Sequence, residues 1–156
     1  MREEFRYMAE LPGTPPEQAW VREYLETLSE WESIVLAASV SRRLPASAED
    51  AVNHLLSLRG GSVYLSADNY RGLGERWLRA AEKHLPDDVL EYIDLNAMGM
   101  RFAGDHPGYF VENHYAVCPP EDAMTAYQGR DSPLPEDDGW SVKLKLASPA
   151  APEGVW

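Results

Sequence analysis

Residues 60–69 read GGSVYLSADN, and the patterning of the chain changes at this point. The paired glycines stop a helix, and residues 62–66 place β-branched and aromatic side chains between glycines and Asp68-Asn69, which predicts a strand. Helical spacing dominates before this segment, whereas helix and strand patterns alternate after it. We therefore predict an α+β fold with a helical N-terminal half, a small strand-helix-helix-hairpin unit and an extended C-terminal tail.

The helical half carries three helix-start signals. Thr14 and Glu17 form a Thr-x-x-Glu capping box, and Ser29 with Glu32 repeats the pattern. The second box predicts that the helix restarts or bends there before Pro45 ends it. A third helix is expected to open at Ser47.

The remainder of the chain alternates between the two patterns. Two further helices are expected, one over 69–83 and one from Pro86 to about 97 that Gly99 ends. Two strands are expected over 100–102 and 109–111, around a turn at 104–108, with residues 115–117 extending the second strand. An edge strand is expected over 140–146. We expect three regions: residues 1–58, residues 59–118 and a Pro-rich extension over 119–156.

Acidic residues outnumber basic ones by 26 to 14, which gives a formal net charge of −12. The excess is spread along the chain, with −5 over residues 1–58, −3 over 59–118 and −4 over 119–156. Such a surface repels nucleic acid and anionic membranes and favours basic partners. The N-terminus has no apolar signal segment, and no apolar run approaches the ~20 residues that span a bilayer. We therefore expect a cytoplasmic protein that binds neither nucleic acid nor membranes directly.

No residue pattern points to catalysis, and we expect neither an enzyme nor a cofactor. Cys118 is the only cysteine and has no neighbouring base, so we interpret it as a spectator thiol. The remaining alternative is a metal site in which His106 and His114 meet Asp105 and Glu112 across a hairpin. That alternative defines a third, least favoured class of function, a small metal-dependent enzyme.

Residues 61–117 resemble the ArdA-type antirestriction proteins of conjugative plasmids and transposons. The landmarks that carry the resemblance are Val63-Tyr64-Leu65, Asp68-Asn69, Leu73-Gly74, Leu85-Pro86, Leu90-x-Tyr92-Ile93-Asp94, Ala97-x-Gly99, Gly108-Tyr109-Phe110 and Tyr115-Ala116-Val117. The resemblance implies an acidic, homodimeric mimic of DNA that occupies the basic DNA-binding groove of a type I restriction-modification enzyme. No catalysis and no cofactor are implied.

A DNA mimic needs carboxylates in rows on a rigid scaffold, and two rows are predicted. The candidate partner-binding residues are Glu23, Glu26 and Glu30 along one helix with Glu32 close by, and Asp87, Glu91 and Asp94 along another with Asp88 at its start. DNA carries one charge per ~1.7 Å, so a net charge of −12 matches about 20 Å of duplex. An ordinary solvated helix face, with Arg22 paired to Glu26, is the alternative reading of the first row.

A different class of function is also consistent with the sequence. In this alternative the protein is a non-catalytic interaction or regulatory module from a mobile element, which keeps the ArdA-like fold but binds another protein through an apolar patch. The chain has five tryptophans, and Trp140 and Trp156 are expected to be exposed. Steep loss of binding with salt would favour the acidic decoy over this alternative.

Overall fold

The computed structural model describes residues 2–81, 86–121, 126–129, 133–135 and 143–145. The helices are α1 Pro15–Thr27, α2 Glu30–Arg42, α3 Ala48–Ser57, α4 Tyr70–Ala81, α5 Asp87–Leu90 and α6 Leu95–Asp105, with 3₁₀ helices Glu3–Glu10 and Leu58–Gly60. The strands are β1 Ser62–Tyr64, β2 Gly108–Val111, β3 His114–Val117 and β4 Lys143–Lys145. The α+β class is confirmed. The predicted extended tail over 147–156, with Trp156, lies outside the described residues, as does Trp140.

The strands form one sheet in the order β2-β3-β1-β4. β3 pairs antiparallel with both β2 and β1, and β4 adds to β1 in parallel. The predicted edge strand is thus confirmed over Lys143–Lys145, because β4 lies at one end of the sheet. None of the described helices is long and apolar enough to cross a bilayer.

Both faces of the sheet are covered by helices. Side chains alternate across a strand, so Val63 and Ala116 share one face while Tyr64 and Tyr115 share the other. The first face joins a core cluster built mainly from α1, α2, α3 and the N-terminal 3₁₀ helix. The second face joins a smaller cluster with Leu73 of α4 and Phe102 of α6. The first cluster therefore includes residues from both sides of the expected boundary at residue 58.

The N-terminal capping signals act as predicted. The Thr14 hydroxyl accepts from the Glu17 amide, and Glu17 Oε1 accepts from the Thr14 amide at 2.9 Å. The Ser29–Glu32 box is equally complete, so the helix ends at Thr27 and restarts at Glu30. Two boxes that each satisfy free amide groups explain why one long apolar pattern becomes two helices.

The prediction of a helix from Pro86 to residue 97 is wrong. The helix α5 stops at Leu90, and a new helix starts at Leu95 because the Asp94 carboxylate accepts a hydrogen bond from the Ala97 amide at 3.0 Å. Val89 of α5 is 40% exposed. The N-cap at Asp94 therefore starts a new helix inside the segment for which the apolar spacing predicted one continuous helix.

The predicted strand over 100–102 is also wrong, because these residues lie inside α6. Gly99, which we expected to break a helix, is a buried position of that helix. An added Cβ at Gly99 would overlap the backbone carbonyl of Tyr70 in α4. The glycine is thus required by close contact between α4 and α6, which no local pattern reveals.

The hairpin uses other strands than predicted. β2 and β3 are joined by the two-residue turn Glu112-Asn113, whose φ angles are 50° and 66°. Positive φ at both central residues is the signature of a type I′ turn, which matches the twist of paired strands. Residues 115–117 are accordingly the partner of the 109–111 segment and not its extension.

Candidate functional site

The structure divides the first predicted acidic row between two helices. Glu23 and Glu26 lie on α1 and are exposed, whereas Glu30 is exposed in the first turn of α2. Glu32 is half-buried, and its carboxylate is occupied by the Ser29 amide at 3.0 Å. The prediction that one continuous helix carries this row is wrong, because the second capping box interrupts it.

The second row is interrupted in the same way. Asp87 and Asp88 belong to the four-residue α5, Glu91 follows that helix, and Asp94 is the N-cap of α6. Asp88, Glu91 and Asp94 are exposed. The prediction that one helix carries Asp87, Glu91 and Asp94 is therefore wrong, and Asp94 has a structural role of its own.

Five predicted positions nevertheless carry exposed carboxylates that form no ion pair with another described residue. They are Glu23, Glu26, Glu30, Asp88 and Glu91. Within the described ranges, the ion pairs instead join Arg2 to Glu4 and Glu112, Arg43 to Asp50, and Arg79 to Glu75. The pair between Arg22 and Glu26, which belongs to the alternative reading of the first row as a solvated face, is not among them, although both side chains line the same open depression.

The residues of the alternative metal site do not converge. His106 stacks on Phe102 with ring centroids 4.3 Å apart. His114 Nδ1 accepts a hydrogen bond from the Ser66 amide at 2.9 Å, and Glu112 binds Arg2. Among the residues that the structure describes, no group of three metal-ligating side chains is close enough to hold an ion.

Cys118 and His54 are among the buried titratable groups of the N-terminal core. Burial raises the pKa of the Cys118 thiol, which contacts the Ala38 carbonyl oxygen. Burial also lowers the pKa of His54 to about 4, against an opposing effect of Asp50 and with smaller contributions from Arg43 and Arg42. His54 Nδ1 lies 2.8 Å from Ser39 Oγ, while its Nε2 has no partner within the described part of the chain. The neutral imidazole is thus the form that fits this core.

A partly apolar groove lies between the C-terminal half of α6 and the outer strand β2. It measures about 490 Å³, and its lining includes Tyr70, Met100, Ala103, Gly104, Tyr109 and Phe110. Four of these side chains are among the exposed large apolar residues, with exposed fractions of 41% for Tyr70, 55% for Met100, 41% for Tyr109 and 37% for Phe110. Grouped exposure of this kind is typical of a binding surface.

Sequence reasoning missed this groove. Its residues come from the start of α4, from α6 and from β2, and we had assigned residues 100–102 to a strand. The available signal was Gly108-Tyr109-Phe110, in which two aromatic residues lie on a strand at the end of the sheet. The exposed aromatic residues that we expected, Trp140 and Trp156, lie outside the described residues.

Comparisons with protein-family models, with curated proteins and with solved structures find no match to this chain.

Proposed function

We propose that this protein is a non-catalytic acidic decoy of the antirestriction type, which occupies the DNA-binding groove of a type I restriction-modification enzyme. The observation that carries the proposal is the set of exposed carboxylates without ion pairs at Glu23, Glu26, Glu30, Asp88 and Glu91. Together with the net charge of −12, they present negative charge that no ion pair between described residues compensates.

Helix caps support this role physically. Thr14 and Ser29 fix the starts of α1 and α2, so the backbone positions of Glu23, Glu26 and Glu30 are set before any partner arrives. A basic groove then gains charge contacts without the cost of ordering the decoy, and complementary potentials speed the encounter. The decoy would rely on charge carried by separate helices, because neither predicted row lies on a single helix.

The proposal extends to the setting of the protein. We place it in the cytoplasm as a product of a mobile element such as a conjugative transposon, where incoming DNA meets restriction enzymes. It binds the enzyme and not nucleic acid directly, since a surface with this net charge repels phosphates. The homodimer that the resemblance implies belongs to the same proposal.

The test is inhibition of a purified type I restriction enzyme on unmodified plasmid DNA at low and high salt. We expect inhibition by the wild-type chain at near-stoichiometric amounts, and weaker inhibition as salt rises. The variant Glu23→Lys, Glu26→Lys, Glu30→Lys, Asp88→Lys, Glu91→Lys should not inhibit. Glu32 and Asp94 are left intact because both cap helices.

The matched control reverses exposed acids outside the predicted rows: Asp68→Lys and Glu121→Lys. This control should retain most inhibition, whereas the row variant with the same charge change, Glu23→Lys, Glu26→Lys, should inhibit less; far-UV circular dichroism should show all variants folded. Unchanged inhibition by the row variant would contradict the decoy proposal.

The second candidate function is a non-catalytic interaction module that binds another protein through an apolar patch. The exposed aromatic groove between α6 and β2 favours this candidate. Binding of such a partner should change little with salt, because apolar contacts are not screened. Salt dependence therefore separates the two candidates.

A further inference from the structure

The outer strand β2 has one free edge. Among the described strands it pairs with β3 alone, and in that ladder Val111 is opposite His114 across the two-residue turn. Hydrogen-bonded and non-hydrogen-bonded residue pairs alternate along antiparallel strands. The Cys118 amide donates to the Pro107 carbonyl at 2.8 Å, which makes Pro107 and Cys118 a hydrogen-bonded pair. The backbone groups of Tyr109 and Val111 therefore face β3, while those of Gly108 and Phe110 face outward. Two residues thus offer amide and carbonyl groups to an additional strand.

The groove lies directly beside this free edge. The Phe110 ring projects to the α6 side of the sheet, with its centroid 5.1 Å from Tyr115 and 5.2 Å from Tyr70. Across the groove, α6 contributes Met100 and Gly104. A Cβ added at Gly104 would have no heavy atom within 4 Å, so this glycine leaves the wall open. A side chain on an added strand, placed opposite Phe110, would enter this space.

Two cationic residues are next in sequence to residues that line the groove. Arg71 and Arg101 are exposed and directly follow the lining residues Tyr70 and Met100. Neither takes part in an ion pair within the described ranges, and Asp105, one helical turn beyond Arg101, does not pair with it. Exposed arginines next in sequence to the lining of an apolar groove contrast with the net charge of −12 of the whole chain. They complement an acidic segment.

The two edges of the sheet differ in composition. β4, at the opposite end, has lysine at two of its three positions, Lys143 and Lys145. Lysine on an edge strand is a common protection against pairing with other chains. β2 has the sequence GYFV and no charged residue. The β2 edge thus combines outward-facing backbone groups, apolar side chains and an adjoining groove.

We propose that the β2 edge binds an extended, acidic segment of a partner protein by strand addition. The segment hydrogen-bonds to Gly108 and Phe110, places one apolar side chain in the groove over Gly104, and directs an acidic side chain towards Arg71 or Arg101. Main-chain hydrogen bonds supply affinity in this mode, and side-chain pockets supply sequence preference. The inference rests on the second candidate function and is independent of the decoy proposal.

The probe for the test is a phage-displayed library of random peptides, selected on the full chain and followed by affinity measurements on synthetic copies of the enriched peptides. We expect enriched sequences with alternating apolar residues and at least one acidic residue. Gly104→Leu fills the groove and should weaken their binding about tenfold or more. Gly104→Ala is the matched control and should bind as the wild type does. Circular dichroism and urea unfolding should show that both variants fold.

N-methylation of the peptide tests the strand mode separately. Because alternate residues of an added strand donate to the edge, methylation should abolish binding at every second position only. Loss of binding in Gly104→Leu without this alternation would overturn strand addition while leaving the apolar-patch function standing. Equal binding by Gly104→Leu and wild type would show that the groove is not the binding site. A chain that dimerises in solution, and becomes monomeric in Gly104→Leu, would replace the partner segment with a second copy.

Discussion

Gly74 of α4 and Gly99 of α6 meet backbone to backbone where the two helices cross. A methyl group on Gly74 would lie 2.8 Å from the Gly99 amide nitrogen, and one on Gly99 would lie 3.0 Å from the Gly74 amide nitrogen. Real side chains do not tolerate such distances to backbone, so both positions require glycine. The contact positions Phe102 against the sheet and with it the α6 wall of the groove.

Replacement of Gly99 should therefore be costly. We expect Gly99→Ala to lower the free energy of unfolding by about 2 kcal/mol or more, since α4 and α6 must separate to admit the methyl group. Gly104→Ala on the same helix has open space and should raise that free energy by about 0.5–1 kcal/mol. Urea unfolding of the two variants beside wild type measures both changes. Equal stability of the two variants would show that the helices do not touch at Gly99.

The carboxylates of the second acidic row should separate into capping and non-capping groups. Asp94→Ala removes the acceptor of the Ala97 amide and should cost about 1 kcal/mol, whereas Asp94→Asn keeps an oxygen acceptor and should cost less. Glu91→Ala, at an exposed carboxylate without a pair, should change stability by less than about 0.5 kcal/mol. Thermal unfolding of the three variants provides the comparison. A loss in Glu91→Ala as large as in Asp94→Ala would contradict this division.

His54 should make stability depend on pH. Its folded-state pKa of about 4 lies below the ordinary value of 6.5, so the unfolded chain binds more protons between these two values. The free energy of unfolding should therefore fall as the pH is lowered from 6.5, by about 2 kcal/mol at pH 5. Urea unfolding at pH 7 and pH 5 measures the loss. His54→Gln should flatten this dependence, and an unchanged slope in that variant would place the proton uptake elsewhere.

Cys118 should resist alkylation in the folded protein. The thiol is 6% exposed and burial raises its pKa, so little reactive thiolate is present at neutral pH. Incubation with iodoacetamide should leave the native chain unmodified by mass spectrometry and modify it fully in urea. Because the chain has one cysteine, the native rate of labelling reports directly on opening of the N-terminal core. Labelling at the same rate in both conditions would show that the thiol is accessible.

Features with a local chemical cause could be predicted from the sequence. The capping boxes at Thr14 and Ser29 lie within four residues of the groups that they satisfy, and both helix starts were found. The α4 helix, with Leu73 buried, and the strand β1 were found for the same reason. The 3₁₀ helix Glu3–Glu10 was not predicted, because its buried Phe5 and Met8 are fixed by packing against the later helices.

Features with a tertiary cause could not be predicted. The sequence around Gly99 is typical of a helix end, and only the structure shows that α4 packs against this residue. The two acidic rows depended on uninterrupted helices, and each was broken by a capping residue, Glu32 or Asp94, that was itself counted as an acid of the row. The groove joins Tyr70 to Phe110 across forty positions of sequence, so only the folded chain brings its walls together.

The parallel pairing of β4 with β1 has a consequence for biosynthesis. Val63 and Leu144 are neighbours in the sheet, yet about eighty residues must leave the ribosome between them. The antiparallel strands β1, β2 and β3 are complete by residue 117, so the outer side of β1 stays unpaired until the last part of the chain emerges. A nascent or truncated chain ending before residue 143 would carry two open edges at once and be prone to aggregate. The number of open sheet edges therefore falls from two to one only when residues 143–145 pair with β1.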